Sequence, residues 1–165
     1  MGAEHGAVDS AARDAAARLL AARPLTEAEL RERLTRRGHA PMEVEAAVRE
    51  ALQAGWVNDA AVARQVLQEG MARGRGKERL LAQLLSRGIA PEIAEVAWEA
   101  LLASGDADPQ ASLRAEVERR VRAQGSALTG RSAARIYNAL LRSGHDPESI
   151  RSALAPYVGD EDDFP

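Results

Sequence analysis

A cluster of cationic side chains near the middle of the 165-residue chain has the clearest potential for chemistry. Residues 73–79 read RGRGKER and carry four cations in seven positions. They do not match a phosphate-binding P-loop, because Met71 stands where that motif needs glycine and Glu78 follows the lysine instead of Ser or Thr. The start of a helix does not favour positive charge. The cluster therefore favours a surface that binds an acidic partner over an ordinary solvated charge run.

No set of residues has the composition and spacing of a catalytic or metal site. The chain lacks cysteine, and no His-x-x-x-His pair occurs. His39 and His145 occupy one position of a repeated pattern in which another copy has Ile89, so we predict half-buried packing for both. No carboxylate is paired with a nucleophile or a histidine at a recognisable spacing. We expect no enzymatic activity, no catalytic residue, no metal and no cofactor.

The two tryptophans could stack on unpaired bases, but their positions favour packing roles. Trp98 falls on the apolar face of a predicted helix, so we expect it in the core. Trp56 lies in a turn between the first two repeats, where we expect its side chain to pack between them and plug their junction. Because aromatic residues make up only 3% of the chain, stacking along a nucleic-acid strand is a poor mechanism. Weak electrostatic contact with DNA is the most that these residues support.

The composition indicates an all-helical protein without a membrane segment. Hydrophobic residues make up 45% of the chain and charged residues 28%, and Ala, Leu, Arg and Glu dominate. The net charge of −3 does not indicate a nucleic-acid binder. A GC-rich genome would explain why 21 of the 22 cations are arginine, although it would not explain their clustering. With no cysteine, signal sequence or long apolar run, we expect a cytoplasmic location.

The pattern Leu-x-x-x-Leu-x-x-x-Gly-x-x-Pro occurs three times, at residues 30–41, 80–91 and 136–147, with Ile136 replacing the first leucine of the last copy. Apolar residues return at matching offsets in each copy: Ala47, Val48 and Leu52; Ala97, Trp98 and Leu102; Ala153, Leu154 and Val158. This spacing predicts a helix, a glycine stop and a second helix that begins at proline. The second leucines should be equivalent and buried: Leu34, Leu84 and Leu140.

Each leading helix is preceded by a residue that can cap it. Thr26, Gly76 and Ser132 are the predicted N-caps. Thr26 and Glu29 form a capping box, with Leu25 and Leu30 placed as its hydrophobic staple. A further amphipathic stretch precedes each cap, so that each repeat should contain three helices.

The predicted fold is all-α, with three tandem three-helix units in an elongated, curved array. The predicted boundaries are a flexible N-terminus at 1–11, repeats at 12–54, 55–104 and 105–158, and an acidic tail at 159–165. We expect the tail, with its run Asp160-Glu-Asp-Asp163, to be disordered and dispensable for folding. Its charge suggests that it folds back weakly on the basic surface of the middle repeat.

Three segments in this order resemble the signature motifs of the RecX family: residues 23–30 (RPLTEAEL), 55–63 (GWVNDAAVA) and 76–89 (GKERLLAQLLSRGI). The resemblance covers roughly residues 12–157. Val62 departs from the family's usual aromatic residue, and residues 141–145 (LRSGH) depart from its Arg-Arg-Gly-aromatic ending.

The resemblance implies a negative modulator of the RecA recombinase. It implies binding to RecA–DNA filaments, along the groove or at an end, and inhibition of filament extension, ATP hydrolysis and strand exchange. DNA repair, recombination and the SOS response would thereby be regulated. We expect a monomer whose arginines pair with acidic groups of RecA. The candidate partner-binding residues are Arg31, Arg36, Arg37, Arg73, Arg75, Lys77, Arg79, Arg87, Arg131, Arg135 and Arg142.

Two other functions remain open at this point. A stand-alone DNA-binding protein with units like a helix-turn-helix would bind DNA strongly at physiological salt without RecA. A plain helical scaffold would have no filament partner.

Overall fold

The computed structural model describes residues 3–125 and 128–159, with side chains described from residue 11 onward within those ranges. These residues form nine α-helices, joined by short turns. Their bounds are α1 Ala3–Ala22, α2 Glu27–Arg36, α3 Pro41–Gln53, α4 Asp59–Ala72, α5 Lys77–Ser86, α6 Pro91–Ala103, α7 Pro109–Gln124, α8 Gly130–Arg142 and α9 Pro147–Leu154. A short 3₁₀ turn at Ala155–Tyr157 follows, and its neighbour Val158 forms an isolated parallel bridge with Leu128. The all-α prediction is confirmed.

The chain divides into two compact units. Unit 1 contains the residues up to Arg64 together with 84–97, and unit 2 contains residues 65–83 together with those from Trp98 onward. In unit 1, apolar side chains of α1, α2 and α3 form one core around Leu30 and Leu34. In unit 2, apolar side chains of α7, α8 and α9 form another around Val117 and Leu140.

The glycine and proline signals of the three sequence repeats have the predicted geometry. The three glycines are left-handed, with φ of 84° at Gly38, 78° at Gly88 and 83° at Gly144. The residue after each glycine donates its N–H to the leucine carbonyl five positions earlier, at 3.2–3.4 Å, which closes the helix end. The next helix then begins at Pro41, Pro91 or Pro147. The second leucines of the pattern are all fully buried, as predicted: Leu34, Leu84 and Leu140.

The N-cap predictions are confirmed for the first repeat and wrong for the third. The Thr26 hydroxyl accepts from the Glu29 N–H at 3.1 Å, and the Glu29 carboxylate accepts from the Thr26 N–H at 3.2 Å. In the third repeat the N-cap is Thr129, whose N–H donates to Ser132 Oγ at 2.9 Å. Ser132 is therefore the third residue of α8 and not its cap. Both residue types cap helices well, so the residue types alone did not distinguish them.

Several apolar positions differ from the prediction. Trp98 is buried as expected, but Trp56 is 58% exposed and does not plug a junction. Trp56 follows the left-handed Gly55, and the next residue, Val57, enters the core instead. Leu52 and Leu102, predicted on the apolar face, are also largely exposed.

The first helix begins at Ala3, whereas the sequence led us to expect a helix only from about Ala12. Alanine is the strongest helix former, so this alanine-rich segment continues the helix through Gly6. Residues 1–2 and 160–165 lie outside the described residues, so the mobility expected of the N-terminus and the disorder expected of the tail stay predictions.

Burial of the repeated leucines leads to a direct stability test. We expect Leu84→Ala to lower the free energy of unfolding by about 2–5 kcal/mol, because the truncation leaves a cavity at a position with no solvent exposure. The neighbouring Leu85 is 46% exposed, so Leu85→Ala should cost less than about 1 kcal/mol. Urea unfolding of the two variants measures the difference. Equal losses of stability in the two variants would mean that the repeat pattern places the wrong leucine in the core.

Candidate partner-binding surface

The cationic segment 73–79 packs on the turn that follows α8, within unit 2. The Gly76 N–H donates to the Ser143 carbonyl at 2.8 Å, and the Glu78 N–H donates to the Gly144 carbonyl at 3.2 Å. Two carbonyls of the turn after α8 thus accept from N–H groups at the start of α5 that have no partner within that helix. Arg79 adds a side-chain bond, from Nη1 to the Arg142 carbonyl at 3.1 Å.

The two backbones approach so closely here that both sides require glycine. A Cβ atom on Gly76 would overlap the Gly144 carbonyl, and a Cβ on Gly144 would overlap the Arg79 backbone nitrogen. We call this contact between the start of α5 and the turn after α8 the junction of unit 2. His145 completes it, since its Nε2 lies 2.9 Å from the Gly74 carbonyl. His145 is therefore a buried packing residue, more buried than the half-buried position that the sequence predicted.

Three other cations of the segment also make contacts inside the protein. Arg75 donates to Gln83 Oε1 at 2.9 Å, and the Lys77 ammonium lies 5.8 Å from the centroid of the Trp98 ring. Arg73 forms an exposed ion pair with Glu69 at 3.3 Å. Folding thus accounts for part of this cluster, which the sequence alone assigned to partner binding. Reversing these charges would therefore disturb the junction as well as any binding to a partner.

The clearest uncompensated charge lies on α8, where three predicted binding residues form one line. Successive residues of a helix are about 100° apart, which places Arg131, Arg135 and Arg142 within about 40° of one another. We call these three residues the arginine stripe. They are exposed, and they lie opposite the buried side of α8, which carries Ile136 and Leu140. Within the described ranges, their guanidinium groups have no carboxylate at ion-pair distance.

The arginine stripe continues a charge pattern shared by two repeats. In the alignment that equates Leu80 with Ile136, Arg75 corresponds to Arg131 and Arg79 to Arg135. The first repeat instead has Leu25 and Glu29 at these positions. The positions equivalent to Arg131 and Arg135 are therefore both cationic in the second repeat and neither is cationic in the first.

The corresponding junction in unit 1, between the start of α2 and the turn after α5, is held by an ion pair between Glu29 and Arg87. The Thr26 hydroxyl donates to the Arg87 carbonyl at 2.7 Å, and the Arg87 guanidinium binds both Glu29 oxygens, at 2.9 and 3.0 Å. Burial raises the pKa of Glu29, but hydrogen bonds from Arg87 and from the Thr26 N–H more than offset it, so the pKa lies below its usual value. Arg87, predicted as a partner-binding residue, is thus engaged in holding unit 1 together.

Other predicted binding residues of unit 1 are also neutralised. Arg31 binds Glu45 at 2.6 Å and Glu27 at 2.7 Å, and these hydrogen bonds raise its pKa above the usual value. Arg36 pairs with Glu32 at 2.7 Å on the surface. Arg37 is exposed and ends α2. Three of the four predicted binding arginines of unit 1 are therefore already paired with carboxylates: Arg31, Arg36 and Arg87.

The Glu29–Arg87 pair makes stability depend on pH. Because the pKa of Glu29 is lowered in the fold, its contribution is present above the usual carboxyl pKa and is lost as the pH falls through the folded value. We expect Glu29→Gln to cost about 1–3 kcal/mol near pH 7 and clearly less near pH 3. Urea unfolding of the variant and of wild type at both pH values tests this. Glu32→Gln, at an exposed pair, is the control and should have a much smaller effect. A pH-independent cost for Glu29→Gln would contradict the assignment.

A buried carboxylate that the sequence analysis did not single out lies on α7. Glu116 is 8% exposed and accepts from Arg119 at 2.6 and 2.8 Å and from Arg120 at 2.6 Å. Burial raises its pKa, and the two arginines more than offset that, so the pKa is lowered overall. The i,i+3 and i,i+4 spacing was the available signal. Glu116 also lines a groove of about 540 Å³ beside Arg73.

The surroundings of His39 and the apolar character of the helices concern possible metal binding and membrane insertion. His39 is half-buried, and its Nδ1 lies 3.9 Å from a Glu43 oxygen. No group of three or more potential ligands is close enough to hold a metal ion within the part of the chain that the structure describes. None of the helices in that part combines the length and the apolar character needed to cross a bilayer.

Comparison with known proteins identifies the family. The model of the first three-helix domain of RecX matches residues 12–50. A regulatory protein RecX from Halorhodospira halophila is 35% identical over 161 residues, which cover 98% of this chain and 96% of that protein. The chain belongs to the RecX family. A second RecX, from Chromohalobacter salexigens, is 32% identical over 130 residues, covering 79% of this chain and 82% of that protein. Val62, which departs from the usual aromatic residue of RecX proteins, is buried.

Solved RecX structures share the fold. The crystal structure of RecX from Lactobacillus salivarius superposes with a TM-score of 0.80 at 16% identity, covering 92% of this chain and 97% of that one. A second RecX crystal structure has a TM-score of 0.72 at 17% identity, covering 90% of this chain and 73% of that one. The all-helical fold with three consecutive sequence repeats is therefore the RecX fold.

Proposed function

We propose that this RecX family member binds RecA filaments on DNA and restrains filament extension, ATP hydrolysis and strand exchange, and so regulates recombinational repair and the SOS response. Family membership supports RecA as the partner. The observation that carries the surface assignment is the arginine stripe of α8. Three exposed guanidinium groups on one side of a helix, with no carboxylate partner among the residues that the structure describes, suit an acidic protein surface, because each can bind a carboxylate through two parallel hydrogen bonds.

We further propose that the binding surface lies mainly in unit 2. The arginine stripe and Arg79 form its centre, since the Arg79 side chain bonds the Arg142 carbonyl. Arg31 and Arg87 act within the fold of unit 1, where carboxylates already occupy their guanidinium groups. Arg36, Arg37 and Arg73 lie outside that centre, as more peripheral candidates.

The test follows filament length and ATP hydrolysis together after the protein is added to RecA on single-stranded DNA. We expect filaments to shorten and hydrolysis to fall in parallel. Shortening at amounts far below one molecule per RecA subunit would indicate binding at a filament end, whereas a need for near-stoichiometric amounts would indicate binding along the groove. Unchanged length and hydrolysis at saturating protein would refute the proposal.

A further inference from the structure

The arginine stripe is not explained by the folding of unit 2. Arg131 and Arg135 are one helical turn apart, a spacing at which like charges repel and destabilise a helix slightly. Other cations of the unit have carboxylate partners: Arg119 and Arg120 bind Glu116, and Arg122 pairs with Glu118. The stripe thus remains a line of positive charge available to an acidic segment.

The chain itself contains such a segment, and its charge is opposite to that of the unit. Within residues 65–83 and 98–159, unit 2 has 12 arginine and lysine side chains against nine aspartate and glutamate side chains, a net charge of +3. Residues 160–163 then add four consecutive acidic side chains. The segment and the remainder of its unit are electrostatically complementary.

The fold brings the residues just before this segment close to the start of the stripe. Val158 forms a parallel bridge with Leu128, which precedes Arg131 by only three residues. The stripe extends about 16 Å from Arg131 to Arg142 at 1.5 Å per residue. Four extended residues, 160–163, span up to about 14 Å, so the acidic segment is long enough to reach along most of the stripe.

We propose that the acidic segment 160–163 docks on the arginine stripe of α8 and competes there with acidic partners. The segment occupies the stripe when no partner is bound and leaves when a more strongly acidic surface displaces it. The arginine side chains of the stripe are exposed, so salt weakens the attraction. The consequence for RecA rests on the proposed function, whereas the docking contact itself does not.

The contact can be measured directly because the chain has no cysteine. A nitroxide label on Pro165→Cys of the full chain should broaden the amide signals of residues 131–142 at about 0.02 M salt. The broadening at residues 139–142, the end of the stripe far from the tether, should weaken sharply at about 1 M salt, where the Debye length is about 3 Å. It should weaken equally in a matched full-length variant with a neutral tail: Asp160→Asn, Glu161→Gln, Asp162→Asn and Asp163→Asn. A mixture of labelled unenriched protein with unlabelled ¹⁵N protein must show no broadening, which restricts the contact to one molecule.

Competition is tested with a fluorescent polyglutamate peptide, which requires no RecA. The neutral-tail variant should bind the peptide about threefold to tenfold more tightly than wild type at low salt, in keeping with a few weak surface pairs. Absent broadening at low salt, broadening at residues 139–142 that is undiminished by 1 M salt or by tail neutralisation, or equal peptide affinities would each overturn the docking. If the docking holds while the protein fails to bind RecA filaments, the proposed function fails alone.

Discussion

Replacing the arginine stripe by glutamate, through Arg131→Glu, Arg135→Glu and Arg142→Glu, is expected to lower affinity for RecA filaments by at least about a hundredfold. The reversal removes favourable pairs and sets like charges against an acidic surface, which costs several kcal/mol at an interface. The three side chains are exposed and face away from the core, so the free energy of unfolding should change by less than about 1 kcal/mol. Binding is measured by titration onto immobilised RecA–DNA filaments, and stability by urea unfolding.

The matched control for this experiment reverses three exposed arginines of unit 1 that lie outside the proposed surface. Arg18→Glu, Arg49→Glu and Arg64→Glu change the net charge by the same amount. If this control loses as much affinity as the stripe variant, net charge governs binding and the stripe has no special role. A stripe variant that binds like wild type would show that another surface contacts RecA.

Replacing Gly144 by alanine should produce the largest loss of stability among the glycine positions of the repeat. The left-handed φ of 83° costs an alanine about 1–2 kcal/mol. The added Cβ would also overlap the Arg79 backbone and displace the start of α5, with loss of two junction hydrogen bonds at about 1 kcal/mol each. We therefore expect Gly144→Ala to cost about 3–4 kcal/mol in urea unfolding.

Gly38 provides the control, because it occupies the equivalent position of the first repeat. Its φ is 84°, and a Cβ atom there would meet nothing within 4 Å. Gly38→Ala should therefore cost only about 1–2 kcal/mol, from the backbone conformation alone. Equal costs at the two positions would mean that the close approach between α5 and the turn after α8 does not exist in solution.

The local features of the fold were predictable because short-range chemistry determines them. The left-handed glycine ends a helix, and the proline three residues later begins the next one. The Thr26–Glu29 capping box and the buried leucines also follow from residue type and spacing. Trp56 was predicted wrongly because the turn at Gly55 could direct either of the next two residues inward, and Val57 takes the buried position.

The junctions were not predictable because they join residues about 60 positions apart. Arg87 was interpreted as a partner-binding residue, but it is paired with Glu29, which is 58 residues away in the chain. Gly76 was interpreted only as a cap, although its close approach to Gly144 is what requires glycine there. The stripe residues were all named from the sequence, whereas their lack of a carboxylate partner among the described residues could be seen only in the structure, where many other arginines are paired.

The central claim is that the partner is the RecA filament and not DNA by itself. The most direct measurement compares the affinity of the wild-type protein for RecA-coated single-stranded DNA and for the same DNA without RecA, at about 0.15 M salt, where contacts with phosphates alone are weak. The account predicts saturable binding to the filament with a Kd at least about tenfold lower than for bare DNA. Equal or tighter binding to bare DNA would contradict it and would favour a stand-alone DNA-binding protein.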